Sequence, residues 1–462
     1  MDPLTYIADR QDEFLARLED LLRIPSVSAL SEHRPDVERA AAWVADDLRA
    51  MGLREVEVVR DTEGGHPLVY GEWLEAPDGA PTVLLYGHYD VQPPDPLDLW
   101  ESPPFEPTVR GDDLYARGAS DDKGQMFALL KGVEAVLRSQ GGLPVNLKVL
   151  IEGEEEISGE HIERYVRANA ARLSADAALV ADSPMYAVGV PALCTGLRGL
   201  VYTEIEVRGA AHDLHSGLYG GPAPNALNSL ATILAGLKNV YSGDIDIPGF
   251  YDAVAPPTSE ELAAWAELPF DEEDYRAREV GAPALEGEQG YTVLERTWSR
   301  PTLDVNGLIG GFTGEGSKTV IPAHALAKVS MRLVPHQDPE RIFALFERRV
   351  QALCSPGVTA SVRRLGQAAP VSLPADTPAM RAARVALAET FGRPAALIRM
   401  GGSIPIVETF QSAAGIPSVL AGFGLSDDNL HAPNEKFHLP NYYAAIRFCA
   451  LFLQLFGASA SA

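Results

Sequence analysis

Cysteine is scarce in this chain of 462 residues, which contains only Cys194, Cys354 and Cys449. Three scattered cysteines give no disulfide framework, and none of them lies in the paired spacing of a cysteine-ligated zinc site. These absences exclude a disulfide-stapled secreted domain and a zinc finger. We therefore expect a protein of the reducing cytoplasm.

Basic residues are few relative to acidic ones. The 38 lysines and arginines stand against 64 aspartates and glutamates, which leaves a formal net charge of −26. Such a surface repels phosphate-rich partners, so nucleic acid and anionic membranes are not expected as partners. Cations are the ligands that this charge favours.

Long hydrophobic runs are also lacking. The most apolar segment, residues 442–456, is shorter than the roughly 20 residues that cross a bilayer, and it contains Arg447 and Gln454. We predict that it is a core helix. The first residues, MDPLTYIADRQDEF, predict an amphipathic helix rather than a targeting segment.

The string TVLLYGHYDVQP is the most informative stretch that is present. It predicts a buried strand over residues 82–86 that leads directly into His88 and Asp90. In open α/β sheets, ligands bind outside the carboxyl ends of the strands. The imidazole of His88 could bind a metal through one nitrogen while Asp90 orients the other. Taken alone, the pair is explained better by a solvated loop.

Three further strand-like runs end in the same way. Residues 146–151 lead into EGEEEISG, with Glu152, Glu154, Glu155 and Glu156; residues 177–181 lead to Asp182; residues 417–422 precede a loop with His431. Adjacent carboxylates repel one another when buried, so cations or a shared proton best explain such a cluster. The alternative is a solvated acidic turn.

A pair of aspartates precedes the predicted helix over residues 123–139. Helix capping is the ordinary explanation for a carboxylate at such a position, and it fits Asp122 well. It fits Asp121 less well, because two metal ions roughly 3.5 to 4 Å apart need a bridging ligand. We predict that Asp121 is this bridge.

In this arrangement the sequence resembles the dinuclear zinc or manganese peptidases and deacylases that include carnosinase-type dipeptidases, aminoacylases and carboxypeptidase G. The resemblance covers nearly the whole chain and is closest to the dipeptidase branch. Its motifs are GHYDVQP, ARGASDDKGQ, EGEEEISG, VADSP, GLRGL, DLHSGLYGG, SKTVIP, VSMRLVP, GGSIP and DDNLHAPNEK.

The resemblance implies two metal sites that share Asp121. His88 and Asp182 would complete one site, and Glu156 and His431 the other. The Asp121–Asp122 peptide bond would be cis. Two divalent ions per subunit are expected, with zinc first and manganese or cobalt as alternatives, since imidazole and carboxylate ligands suit all three.

The resemblance also implies catalytic roles. A water between the metals would be the nucleophile and Glu155 the general base, while Asp90 orients His88. The sequence alone leaves open an exchange of roles between Glu155 and Glu156. His215 of DLHSG would stabilise the oxyanion, from the partner subunit in the dipeptidase branch, although a local bond to Asp213 or Ser216 is the alternative.

Substrate binding is implied for Arg332, for Gly402 and Ser403 of the GGSIP loop, and for Thr319 of SKTVIP. Arg332 alternates with apolar neighbours and lies on one strand face with Ser330, where a guanidinium could bind a carboxylate. The alternatives are an ion pair for Arg332 and a tight turn for the glycines. Relatives often have Glu where this chain has Met400, which leaves specificity for the amine end or for the side chains of the substrate open.

The ligands predict the domain organisation, because His431 must return to the site of His88. We predict an α/β fold with a catalytic domain in two parts, residues 1–198 and 375–462, built on a mixed, mostly parallel sheet flanked by helices. An inserted two-layer α/β lid and dimerisation domain would span residues 199–374, with a helix over residues 225–240.

The sequence therefore predicts a cytoplasmic, homodimeric metallopeptidase that hydrolyses the amide bond of dipeptides or short peptides with a free C-terminal carboxylate. One alternative is an N-acyl amino acid deacylase with the same machinery. Another is a catalytically inactive relative that binds peptides.

Overall fold

The computed structural model describes residues 1–60, 63–157, 159–402 and 404–459. Its strands are β1 (Arg54–Val59), β2 (Leu68–Trp73), β3 (Thr82–His88), β4 (Thr108–Arg110), β5 (Asp113–Tyr115), β6 (Asn146–Glu152), β7 (Ala177–Val180), β8 (Ala192–Leu197), β9 (Gly199–Arg208), β10 (Leu214–His215), β11 (Thr302–Gly310), β12 (Val320–Ile321), β13 (His324–Leu333), β14 (Thr359–Ala368), β15 (Val371–Ser372), β16 (Ala396–Met400), β17 (Ser418–Leu420) and β18 (Lys436–His438).

Its helices are α1 (Pro3–Ala8), α2 (Gln11–Leu22), α3 (Arg34–Met51), α4 (Lys123–Gln140), α5 (Glu160–Ala168), α6 (Ala170–Leu173), α7 (Ser216–Tyr219), α8 (Ala226–Ala235), α9 (Ser259–Ala266), α10 (Glu272–Asp274), α11 (Val293–Trp298), α12 (Pro339–Leu353), α13 (Pro378–Phe391), α14 (Pro405–Ala414) and α15 (Leu439–Ser459). Short 3₁₀ turns occur at Ser31–His33, Leu97–Leu99 and Glu155–Ile157, and a π-helical turn at Tyr275–Val280.

The chain divides into two compact units. The first comprises residues 1–195, 373–398 and 405–462, and the second residues 196–372 and 399–404. The division runs through β8 and β16.

The first unit is built on a mixed sheet in the order β1-β2-β6-β3-β7-β17-β8. Its central strands β6, β3, β7 and β17 are parallel, and β1, β2 and β8 pair antiparallel at the edges. Helices α2, α3, α4, α13 and α15 contribute buried side chains to its apolar core. The predicted α/β class with a mixed sheet flanked by helices is confirmed.

The contact between α4 and β3 is unusually close. A Cβ atom added at Gly87 would lie 2.5 Å from Cγ of Met126, so only glycine allows this spacing. Because α4 follows Asp121 and Asp122 directly, the close packing brings both aspartates to the end of β3, where His88 lies.

Helix α15 corrects one prediction. It has 21 residues, and by length and composition it is long enough to cross a membrane, so the predicted limits of residues 442–456 were too narrow. More than half of its most apolar window is buried inside the protein. It contacts α4 and α13, and the rings of Phe448, Phe452 and Phe456 stack in the core.

The second unit has an antiparallel sheet in the order β11-β13-β9-β14. Strands β9 and β13 alternate buried and partly buried residues, and their buried sides pack with α8 and α12. This is the two-layer arrangement that the pattern predicts. Helix α8 is shorter than the predicted residues 225–240, because Asn225 caps its start and it ends at Gly236.

Candidate metal centre

The predicted ligands of the first unit lie at the carboxyl ends of its parallel strands. His88 is the last residue of β3, Asp182 follows β7, and Glu156 lies in the short turn after β6. His431 belongs to the loop between β17 and β18. Parallel strands place their carboxyl ends at one edge of the sheet, so residues far apart in sequence converge there.

Asp121 lies between the two histidines. Its Oδ1 is 3.2 Å from Nε2 of His88, and its Oδ2 is 3.0 Å from Nε2 of His431. Nε2 of His431 is also 3.3 Å from Oε2 of Glu156. Ligand atoms of His88, Asp121 and Asp182 lie within 4.8 Å of one another, as do those of Asp121, Glu156 and His431. The structure thus brings the five predicted ligands together in two groups with Asp121 in common.

Asp90 connects His88 to the turn that contains the glutamates. Nδ1 of His88 donates to the backbone oxygen of Asp90 at 3.1 Å and lies 3.3 Å from its carboxylate. The two carboxylate oxygens of Asp90 accept the backbone N–H groups of Glu155 and Glu156 at 3.3 and 3.2 Å. Asp90 is fully buried, so it fixes the imidazole and the turn together.

Asp122 corrects the prediction of a helix cap. It occupies the residue before α4, but its side chain makes no capping hydrogen bond. Its Oδ2 instead accepts the backbone N–H of His88 at 3.2 Å. The Asp121–Asp122 peptide bond is cis, as predicted.

The four glutamates after β6 divide into two pairs. Glu152 accepts the hydroxyl of Tyr86 at 2.6 Å, and Glu154 accepts the backbone N–H groups of His66 and His161. These two are buried and have structural partners. Glu155 and Glu156 are the pair beside the histidines, and Glu156 is the one within ligand distance of His431.

The neighbours of several of these groups raise their pKa values above the usual range. Burial raises the pKa of Asp182 to about 7, and the charge of Asp121 adds to this effect. Burial likewise raises the pKa of Glu155 to about 8. Hydrogen bonds to Asp121 and Glu156 raise the pKa of His431 to about 10.

Asp121 differs from these carboxylates because its pKa is lowered. Burial would raise its pKa, but the hydrogen bonds from His431 and His88 outweigh this effect and lower it. For His88, burial favours the neutral ring, yet the hydrogen bonds to Asp121 and Asp90 raise its pKa well above the usual value.

Glu435 is a structural element of the site that the sequence did not reveal. It is fully buried and accepts an Nη1–H of Arg117 at 2.7 Å and the backbone N–H groups of Gly118, Ser120 and Asp121 at 2.9 to 3.1 Å. Glu435 lies four residues after His431, so it connects the loops that carry His431 and Asp121. In the sequence, only its position inside the motif DDNLHAPNEK indicated that it could belong to the site.

The loop that carries His431 has an uncommon backbone. Asn429, His431 and Asn434 have φ values of 56°, 60° and 62°, in the left-handed region that non-glycine residues seldom occupy. Such a backbone persists where its surroundings determine it. Asp428 helps to do so, since it accepts the hydroxyl of Ser120 and the backbone N–H of Leu425 at 2.8 Å each.

In the second unit, His215 and Thr319 lie next to each other. β10 pairs with β12 so that His215 is opposite Val320, and the N–H of Ser216 donates to the backbone oxygen of Thr319 at 3.1 Å. Both residues are exposed. Nδ1 of His215 accepts the N–H of Gly217 at 3.0 Å, which leaves Nε2 available to donate.

Arg332 lies on β13 on the same side as Ser330, as the alternation predicts. Within the described part of the chain, its guanidinium has no hydrogen bond or ion pair. Gly402 is exposed in the loop after β16. Ser403, the third residue predicted for carboxylate binding, lies outside the described residues.

The donor set fits a pair of divalent cations. Two imidazoles and three carboxylates suit zinc, manganese and cobalt. The ring nitrogen of His88 that faces away from Asp121 is already held by Asp90, which leaves Nε2 as the ligand atom. The site geometry therefore agrees with the dinuclear cofactor that the motifs imply.

Comparison with known proteins decides the family. Residues 84–455 match the model of peptidase family M20/M25/M40, which is more than half of the chain. The chain belongs to this family. The predicted resemblance to these metallopeptidases is confirmed.

Full-length relatives support the assignment to this family. A Cys-Gly metallodipeptidase of Schizosaccharomyces pombe is 34% identical over 97% of both chains. The crystal structure of human carnosine dipeptidase 1 matches with a TM-score of 0.83 and 31% identity, over 99% of this chain and 98% of that one. The M20 metallo-carboxypeptidase Sso-CP2 from Sulfolobus solfataricus matches with a TM-score of 0.84 and 32% identity, over 96% and 99%.

Proposed function

We propose that this protein hydrolyses the amide bond of dipeptides or short peptides that have a free C-terminal carboxylate. The observation that carries the proposal is the position of Asp121 between His88 and His431, with Glu155 in the adjacent turn. Relatives of similar length that are named as metallodipeptidases support the choice of substrate class.

The cofactor of the proposed reaction is a pair of divalent metal ions. His88, Asp121 and Asp182 would hold one, and Asp121, Glu156 and His431 the other. When bound, such ions polarise the scissile carbonyl and acidify water. Zinc is our first candidate. Manganese and cobalt are alternatives, because the same donors suit all three metals.

Glu155 is the proposed general base. It accepts a proton from the attacking water and passes it to the leaving nitrogen. Its backbone N–H is held by Asp90, and it lies outside the two ligand groups, so its carboxylate is available for proton transfer. Asp90 has a positioning role, since it orients His88 and fixes the turn that contains Glu155 and Glu156.

The second unit would supply groups that recognise the substrate. The guanidinium of Arg332, which has no partner among the described residues, would bind the terminal carboxylate, assisted by Gly402 and Ser403 of the adjacent loop. His215 would donate to the oxyanion, and Thr319 would contact the substrate next to it. The exposure of His215 and Thr319 supports these roles, because both side chains are accessible.

A homodimer is the assembly that we propose. β11 is an edge strand of its sheet, and it exposes Val305, Leu308 and Ile309, with Phe312 exposed just beyond it. An exposed apolar edge strand is a template for pairing with another chain. We expect Ile309→Lys to favour the monomer in analytical ultracentrifugation, and an unchanged sedimentation coefficient would contradict this.

A cytoplasmic location is part of the same proposal. It rests on the scarcity of cysteine, with three residues in a chain of 462. We expect neither nucleic acid nor membranes as partners, because of the net charge of −26.

The activity can be tested with a panel of matched substrates. Metal-stripped protein would be reloaded with zinc, manganese or cobalt and offered free dipeptides, their N-acetylated forms and their C-terminal amides. We expect metal-dependent hydrolysis of the free dipeptides. Equal turnover of the N-acetylated forms would favour the deacylase alternative, and no hydrolysis by metal-replete protein would favour a peptide-binding relative.

A further inference from the structure

Arg198 is a cation of the second unit to which the preceding account gives no role. It lies between β8 and β9, and its backbone N–H donates to the backbone oxygen of Met400 at 3.1 Å. The register of β9 pairs Leu200 with Arg332. Arg198 precedes Leu200 by two residues, so the two lie on the same face of the sheet. Arg198 is therefore diagonally across from Arg332, where long side chains can reach one another.

The guanidinium of Arg198 is only partly satisfied by the protein. Nε donates to the backbone oxygen of Gly401 at 3.1 Å, and Nη1 to that of Arg300 at 3.4 Å. Within the described residues, Nη2 has no acceptor and the side chain has no ion pair. Asp304 is a carboxylate whose charge acts on both Arg198 and Arg332, but it is exposed and lies 3.8 Å from Lys238.

Gly401 lies very close to this guanidinium. A Cβ atom added at position 401 would lie 2.6 Å from Nη2 of Arg198. A side chain there would displace the end of the Arg198 side chain from its present position. Arg198 and the first glycine of the loop therefore form one structural unit.

Two neighbouring cations without a carboxylate partner are costly when they are partly buried. Burial, and after it the charge of Arg332, lowers the pKa of Arg198 to about 10, so both side chains are still charged at neutral pH. An anion that reaches this sheet face would relieve the repulsion between them. Guanidinium groups bind carboxylates with good geometric fit.

We propose that Arg198 binds the terminal carboxylate of the substrate together with Arg332, through its free Nη2, and that its Nε holds the Gly401–Gly402 turn in place. This inference rests on the proposed function, because it takes the carboxylate to be that of a peptide. It makes Arg198 a determinant of specificity for free acids over amides.

Binding measurements without turnover test this proposal. Zinc-loaded Glu155→Gln protein would be titrated by calorimetry with Ala-Gly and with Ala-Gly amide, and compared with the same protein carrying Arg198→Gln. We expect a loss of about 10- to 100-fold in affinity for Ala-Gly, the usual range for a bond to a charged group, and less than about threefold for the amide. Equal losses for acid and amide, or no loss, would overturn the proposal.

A double mutant and a glycine variant sharpen the test. If both arginines bind one carboxylate, the loss of affinity in Arg198→Gln/Arg332→Gln should be smaller than the product of the two single losses. Independent, multiplicative losses would contradict a shared ligand.

Gly401→Ala should reproduce the Arg198→Gln effect, and Gly366→Ala, where an added Cβ meets nothing within 4 Å, is its control.

Arg399→Gln is the control for loss of a guanidinium in the same unit, since Arg399 is paired with Glu261. It should leave the preference for acid over amide unchanged, and a changed preference would assign the effect to general loss of charge. Because the titrations require no hydrolysis, their outcome is separate from that of the substrate panel.

Discussion

The two groups of predicted site residues differ in how the protein holds them. In the first unit, His88, Asp90 and Asp121 are wholly or largely buried and bonded on several sides. In the second, His215 and Thr319 are exposed, and Arg332 has no partner within the described residues. His431, whose side chain is half exposed, is still held by Asp121 and Glu156. The first group has the fixed geometry that metal binding needs, while the second has donors that are free to bind a ligand.

The largest effect is expected from the most connected residue. Asp121→Asn removes a charge that both ligand groups share, and we expect metal affinity to fall by more than about 100-fold, since loss of partners of metal ligands alone costs 10–100-fold. Titration with zinc and a metal assay would measure it. Asp122→Asn is the control, because an amide oxygen still accepts the N–H of His88; an equal loss in both variants would contradict the special role of Asp121.

His215→Ala tests the second group. We expect kcat to fall by roughly 10²–10³-fold, the usual cost of removing one oxyanion donor. Metal content and thermal stability should stay as in wild type, because the side chain is exposed. Lost metal would place His215 in the first group instead.

Mixing variants tests where His215 acts. If it acts across a dimer, equal amounts of His215→Ala and Glu155→Ala proteins should recover about a quarter of wild-type activity, because half of the dimers are hybrids with one complete site of two. No recovery despite proven subunit exchange would show that His215 acts within its own chain.

Glu435→Gln tests the connection between the loops that carry His431 and Asp121. Removing the charge from a buried ion pair should lower the free energy of unfolding by about 3 kcal/mol and metal affinity by about 10–100-fold. Urea denaturation and zinc titration would measure these. Asp427→Asn removes an exposed partner of Lys436 in the same loop and should change stability by less than about 1 kcal/mol. Similar effects in both variants would contradict the role of Glu435.

The smallest effect is the number of protons released when metals bind. His88 and His431 must lose protons at any pH near neutrality, whereas Asp182, with a pKa of about 7, holds one only in more acidic solution. Glu155, with a pKa of about 8, also holds a proton in acidic solution. We expect about one to two more protons released at pH 6 than at pH 8.5, and an apparent affinity that rises with pH. Calorimetry in buffers of different ionisation enthalpy measures this; equal release would contradict the raised pKa values of Asp182 and Glu155.

The sequence was informative where local pattern and sheet topology coincide. The apolar strands that lead to His88, to the glutamate cluster and to Asp182 could be predicted from residue type alone, and parallel strands direct their carboxyl ends to one edge. Their convergence with His431 followed from the same rule. The choice of Glu156 among the four glutamates came from the resemblance to the family. The inserted unit followed from the ligands, because His431 must return to the site of His88, and its two-layer character from the alternating strand and amphipathic helix patterns.

What could not be predicted depends on contacts distant in sequence. Glu435 accepts N–H groups that lie 314 to 317 residues earlier, and no local pattern indicates this. Asp122 has the position of a helix cap, but the close packing of α4 on β3 turns its carboxylate to His88. The limits of α8 and α15 depended on capping and on the packing of their ends.

The most direct test of the account is the activity of Glu155→Gln with two metal ions bound per chain. Glu155 lies beside the ligand groups but outside them, so this variant should bind zinc like wild type and lose about 10²–10⁴-fold in kcat for a free dipeptide, the range for a general base. Full metal occupancy with unchanged kcat would contradict the proposed mechanism.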